Sequence, residues 1–145
     1  MRGRYLERAF WAYHRALDRA SGGRFRSERW GRPPTLWLTT VGRKTGRTRE
    51  TALIYVADGP NLVVAASNAG HPSDPAWWLN LQERPDAEVR LGRERRRVRA
   101  HEATAEDAAR LWPLLDEVYP TFARYRQRSP RTIPVVVLEP IPATG

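Results

Sequence analysis

The chain has no cysteine. Disulfides and thiolate-bound metals are therefore excluded, and thiol usage gives no hint of compartment. No apolar run approaches the roughly 20 residues that a membrane-spanning helix requires. The opening stretch, MRGRYLERAFWAYHRAL, lacks both an uninterrupted apolar segment and a small-residue cleavage site. A secretory leader is not expected there, and the cytoplasm is the expected compartment. Several catalytic signatures are missing as well. The phosphate-binding loop G-x-x-x-x-G-K-[ST] needs glycine directly before its lysine, where this chain has Arg43. Neither G-x-G-x-x-G nor the G-x-S-x-G of a nucleophilic serine occurs. Lysine itself is almost absent: of 25 basic residues only Lys44 is a lysine.

With 145 residues and 41% apolar content, the sequence fits one globular domain burying about two-thirds of its unfolded surface. Its net charge of +9 points to an anionic partner: nucleic acid, an acidic membrane surface, or a phosphorylated or carboxylated small molecule. Charge alone does not choose among them. A GC-rich genome also produces an arginine bias, without functional content.

Residues 4–20 have helical periodicity, with Leu6, Phe10, Tyr13 and Leu17 on one face and Arg4, Arg8, Arg15 and Arg19 opposite. The simpler reading is a helix lying on the core. Trp11 among the arginines makes contact with a membrane surface the second reading. Strands are expected at 35–41, 50–57 and 61–67, the last two joined at Asp58-Gly59-Pro60. Asp74 and Pro75 read as N-cap and first residue of a helix that Pro85 ends. A hairpin turning at Gly92 (87–92 with 93–103), a helix capped by Thr104 with a kink at Pro113, a short helix after Tyr119-Pro120 and a closing strand at 133–140 follow. Short strands in hairpins with helices between them indicate a mostly antiparallel α+β fold or small β-barrel.

Three segments carry chemistry. GRKTGRTR places Arg43, Lys44 and Thr45 in a glycine-bounded turn after a strand, an arrangement suited to oxygen anions, although a plain exposed basic turn has the same sequence. SNAGHPSDPAWWLNL runs from a strand end through a polar loop into a helix, where ligands commonly dock. Ser67, His71 and Asp74 invite a hydrolase triad, but triad members usually come from separate elements. YPTFARY sets Tyr119, Phe122 and Tyr125 along one side of a helix; core packing accounts for such a stripe, and so does the wall of a pocket for a flat conjugated molecule.

In this order and spacing, TTVGRKTGRTR, VVAASNAGHPSDPAWWLNL, VYPTFARY and RTIPVVVLEP resemble the deazaflavin-dependent nitroreductase family over residues 35–140. The resemblance implies a split β-barrel with flanking helices, of the kind that also binds FMN, formed by residues 35–141 behind an N-terminal segment, 1–34. It implies coenzyme F420, a deazaflavin with a ribityl phosphate and an acidic glutamyl tail. Arg43, Lys44, Thr45 and Arg49 are then expected at the phosphate and tail. Ala52, Leu53, Ile54, Ala65, Ala66, Ser67, Asn68, Ala76, Trp77, Trp78 and Asn80 are expected to line the coenzyme. The implied reaction is hydride transfer from the reduced coenzyme to a quinone, enone or nitroaromatic, with no metal. Ser67, Tyr119, Phe122 and Tyr125 are expected at the acceptor, Ser67 and Tyr125 as the catalytic pair. Two departures from the family pattern stand out: Phe122 replaces a tyrosine, and Asn68 replaces a lysine.

The alternatives are an FMN-binding split barrel, a coenzyme carrier without turnover, and a nucleic-acid-binding protein. RERRRVR argues weakly for the last, because alternation spreads its charge over both faces of a strand. It suits an exposed edge strand, where charge deters further pairing, so no nucleic-acid partner is expected. A monomer and a homodimer fit the sequence equally.

Overall fold

A computed structural model of the chain describes residues 33–142. The amphipathic helix expected over 4–20 lies outside them. Strand β1 (Thr35–Val41) sends Leu36, Leu38 and Thr40 inward, as its alternation requires. Strand β2 (Thr48–Ile54) returns beside it, with Val41 opposite Thr48 and Thr35 opposite Ile54. The single strand expected over 50–57 is in fact two. Tyr55 leaves the ladder and donates its backbone N–H to Pro34 O at 3.0 Å. Beyond it, β3 (Val56–Asp58) forms the expected hairpin with β4 (Asn61–Ala65).

Strands β5 (Asp86–Leu91), β6 (Glu94–Glu102) and β7 (Val135–Pro140) complete one antiparallel sheet in the order β2-β1-β5-β6-β7-β4-β3. In that order β2 and β3 occupy opposite edges, yet only Tyr55 separates them in sequence. One residue spans only a few ångströms, so the edges must meet. The sheet therefore curls on itself into the split barrel.

Alternation along β4 and β7 feeds two cores. Leu62, Val64, Val136 and Leu138 join Leu36, Leu38, Trp77, Trp78, Leu81 and Val89 inside the barrel. Val63, Ala65, Val135 and Val137 pack outward against Leu111, Leu115, Tyr119, Phe122 and Tyr125 from the helices. Being buried on both sides explains why these strands read as unbroken apolar runs rather than alternating ones.

The helices are α1 (Ala76–Glu83), α2 (Ala105–Val118) and α3 (Thr121–Arg128). Thr104 caps α2 as expected, its hydroxyl accepting from Asp107 N at 3.1 Å, and the helix continues through Pro113. Arg126 joins α3 to α2 by two bonds to Asp116, at 2.8 and 2.6 Å, and lies 4.0 Å over the Trp112 ring. Asp74 does not cap α1. Pro75 takes the N-cap position, and the Asp74 carboxylate turns to Arg131.

Nor is β6 an edge strand. It lies between β5 and β7, and only its first four residues, 94–97, extend past β7. Val98 lies opposite Pro140, and just beyond that pair Ile141 N donates to Arg97 O at 2.9 Å. The arginines of β6 answer neighbouring carboxylates: Arg95 to Glu88 at 2.9 Å and Arg99 to Asp86 at 2.8 Å.

Asp58 receives two hydrogen bonds from Arg110, at 3.0 and 2.9 Å, fastening the β3–β4 hairpin to α2. These bonds hold the Asp58 carboxyl below its usual range. A carboxyl depressed in the fold stabilises above its unfolded pKa, about 3.9, and that stabilisation is lost as pH falls through the folded value. Asp58→Asn should therefore lower the urea midpoint slightly at pH 7 and leave it unchanged near pH 2. The effect is small because the pair faces solvent. An equal deficit at both pH values would remove the carboxylate from the account.

Candidate active site

The basic turn joins β1 to β2 and is closed from inside. Gly42 N donates to Arg47 O at 2.7 Å, and Gly46 N donates to Gly42 O at 2.8 Å. Gly46 sits at φ 71°, open to glycine at little cost. The Thr45 hydroxyl accepts from Arg47 N at 3.2 Å, so it shapes the turn. A side chain at Gly42 would stand 2.9 Å from that hydroxyl.

Asn80, buried on α1, braces the turn from beneath. Its Oδ1 accepts from Arg43 N at 3.1 Å and Arg43 Nη1 at 3.3 Å, and its Nδ2 donates to the buried Thr40 hydroxyl at 3.1 Å. Both ends of this amide are occupied by the protein. Asn80 thus fixes the turn, with one Nδ2 hydrogen left over beyond these bonds.

Seven arginines elsewhere are within ion-pair distance of carboxylates: 90, 95, 96, 99, 110, 126 and 131. Lys44, Arg47 and Arg49 have no such partner among the described residues, and all three are exposed. Arg49 stands opposite Thr40 in the ladder and shares its face of the sheet. Two of these cations on the braced turn and the third at the start of β2, without carboxylate partners among the described residues, make a strong local positive field.

A second part begins where β4 ends. Ser67 is buried, and its hydroxyl has no hydrogen-bond partner among the described residues. Asn68, Ala69 and Gly70 follow at φ 46°, 55° and 80°, three left-handed residues in a row. Asn tolerates that region, and its side-chain amide here donates to Ser73 O at 2.9 Å. Gly70 is required for a second reason: an added Cβ would lie 3.3 Å from both Cα and O of Tyr125. The turn after Ser67 therefore rests on the α3 backbone. The loop continues into the N-terminus of α1, about 6 Å along the axis from Asn80. One short helix thus carries both parts of the site.

Tyr119, Phe122 and Tyr125 are all buried in the outer core, and the two tyrosine hydroxyls are 3.3 Å apart. The stripe is core packing, as its spacing allowed, and it also abuts the Ser67 turn through Tyr125. Leu53, Ile54, Ala65, Ala66, Trp77 and Trp78 are buried in the two cores, and Ala52 is buried as well. Ala76 is half-buried at the start of α1. The hydrolase triad does not form: His71 is exposed, and Asp74 faces Arg131. No group of His, Asp and Glu suited to a metal occurs among the described residues. None of the described helices is long and apolar enough to cross a membrane.

Arg131 escapes a reading of the sequence. Its Nη2 donates to Ala66 O at 2.9 Å, Ser73 O at 3.1 Å and Ser67 O at 3.3 Å, and its Nε donates to His71 O at 3.3 Å. Its Nη1 lies 2.9 Å from Asp74 Oδ1, an ion contact out of line for a directed hydrogen bond. The available signal is weak: a charge four residues ahead of a fully buried strand calls for a partner.

Known proteins resemble this chain in sequence and in fold. The model of the family described as F420H(2)-dependent quinone reductase matches residues 8–140. An F420H(2)-dependent quinone reductase of Mycobacterium tuberculosis (strain ATCC 25618 / H37Rv) is 39% identical over 128 residues, 86% of each chain. A solved F420-H2 dependent reductase (FDR-A) matches with TM-score 0.68 at 32% identity, covering 73% of this chain and 94% of that one. A chain solved as a domain-swapped dimer matches at TM-score 0.68 and 27% identity, covering 90% of this chain and 98% of that one. The family these matches name is that of the quinone reductases, to which the nitroreductase wording is only loosely related. By the extent of the family match and by its relatives, this chain belongs to the F420H(2)-dependent quinone reductase family.

Proposed function

We propose that this protein is an oxidoreductase that uses reduced coenzyme F420 to reduce a small conjugated acceptor, with residues 35–141 as the coenzyme-binding barrel. The observation that supports this most is the braced turn bearing Lys44 and Arg47, with Arg49 beside it on β2, none of the three with a carboxylate partner among the described residues. A phosphate and an acidic tail fit that charge, and the Arg43 guanidinium, tethered to Asn80 through Nη1, has further N–H groups to add. When bound, the coenzyme supplies the hydride.

The chain's own residues have the remaining work. The turn holds the anionic end, and lysine suits it as a compact charge where an arginine fork is bulkier. Buried Ala65, Ala66, Trp77 and Trp78 give the neighbouring walls their shape and keep water out. We place the acceptor beside Ser67 and the Tyr119–Tyr125 pair. There the Ser67 hydroxyl, without a hydrogen-bond partner among the described residues, holds an acceptor oxygen, and Tyr125 donates the proton that, with the hydride, completes a hydroquinone. The same balance serves an enone. Nitroaromatics are a further class of acceptor, for which Phe122 offers no hydroxyl.

The deciding measurement is a fluorescence titration with the deazaflavin coenzyme and, in parallel, FMN. Saturable binding of the first and none of the second is expected. Preference for FMN would overturn the coenzyme assignment. Tyr125→Phe should then lower kcat for a quinone by roughly ten- to a hundredfold or more, with the coenzyme Kd little changed. A matching loss in Kd would remove Tyr125 from the acceptor side.

A further inference from the structure

We infer that Arg131 is a positioning residue: its guanidinium sets the place of the Ser67 loop, so that the acceptor end of the site depends on a residue at the start of the last strand segment. This rests on the functional reading above.

All five of its acceptors lie between Ala66 and Asp74, and they include both ends of the loop. A flat guanidinium with N–H groups in fixed directions can reach several carbonyls at once, whereas an ammonium of the same charge cannot hold that fan. Arg131 is itself held. Its backbone N–H donates to the Ser129 hydroxyl at 3.3 Å, and that hydroxyl donates to Arg131 O at 3.2 Å. Ala66 N also donates to Pro134 O at 2.9 Å, so the segment after Arg131 runs alongside the start of the loop. The rest of the loop's internal support is slight: Asn68 to Ser73, Gly70 N to Ser67 O, and His71 N to Asn68 O.

An ion pair is usually judged by stability, yet this half-buried one is poorly aligned, and four of the five contacts go to neutral carbonyls. The arrangement makes geometric sense as a clasp. It holds Ser67 and the left-handed turn against Tyr125 at one end and Asp74 before α1 at the other. The basic turn is braced separately by Asn80. Losing Arg131 should therefore disturb the acceptor end far more than coenzyme binding.

The test compares Arg131→Lys and the double variant Arg131→Met/Asp74→Asn with wild type, because Arg131→Met alone leaves Asp74 without its countercharge and confounds folding with position. Both test proteins keep charge balanced. Amide hydrogen exchange without coenzyme should be faster at residues 67–74 in each and unchanged in β1 and β2. With coenzyme and a quinone, kcat should fall roughly ten- to a hundredfold, with the coenzyme Kd within about threefold. Unchanged protection of the loop would overturn the inference, whatever the activity. So would a loosened loop with wild-type kcat and KM. If wild type itself reduced no quinone, the functional reading would fail, and loop exchange alone would decide the role of Arg131.

Discussion

Replacing Lys44 and Arg49 together by alanine is expected to weaken deazaflavin binding by roughly 30- to 1,000-fold and to leave the thermal midpoint almost unchanged. Opposite charges about 4 Å apart are worth about 1 kcal/mol in water and about 4 kcal/mol near a protein surface. Two such contacts at a partly open site give about 2–4 kcal/mol, which is that range of affinity. Stability should not follow, because both side chains are exposed and touch no carboxylate among the described residues. Salt provides an internal control. Wild-type affinity should fall as ionic strength rises, and the variant's should fall less, since the screened charges are already gone. Arg43→Ala is the contrasting change, because it also removes a bond to Asn80 and so loosens the turn. Unaltered affinity in the double variant would exclude the turn as the anion site.

The second large effect belongs to the turn after Ser67. Gly70→Ala forces a Cβ into a left-handed residue, at about 1–2 kcal/mol, and presses it on the backbone of Tyr125, at about 1–3 kcal/mol more. A total loss of about 2–5 kcal/mol is expected, read as a lowered urea midpoint. Catalysis should suffer beyond that, because α3 and the Ser67 turn are pushed apart. Ala69→Gly is the opposite experiment one residue away. There the left-handed strain is relieved, a methyl group packed on the outer core is lost, and the unfolded chain gains freedom. Stability should change by no more than about 1 kcal/mol. Equal losses in the two variants would show that crowding against Tyr125 is not the reason for Gly70.

What was legible in the sequence had local causes. The alternation of 35–41, the turn at Gly92 and the Thr104 cap each rest on residues a few positions apart, and each is found in place. The division of 50–57 at Tyr55 has no local signal, because it follows from a sheet that must close on itself. Asp74 obeyed the capping rule in sequence but met Arg131, 57 residues away, which competes for its carboxylate. The same distance hid the clasp. At the site, GRKTG was open to two readings, a place for an anion or a plain basic turn, and the bracing by Asn80 was not legible, because its partners Arg43 and Thr40 lie 37 and 40 residues away. The aromatic stripe was ambiguous, and it proved to be core and neighbour of the site together.

The order of strands in the sheet also sets a timetable for the nascent chain. Hairpin β3–β4, apolar on both faces, finds its other partner only in β7, about seventy residues later. At ribosomal rates of about 5–20 residues per second, that is a wait of about 4–14 s during which Val63 and Val64 have no finished core to enter. The last strand is thus the one that closes both cores at once, and a chain cut before Val135 would keep its most adhesive hairpin open to other chains.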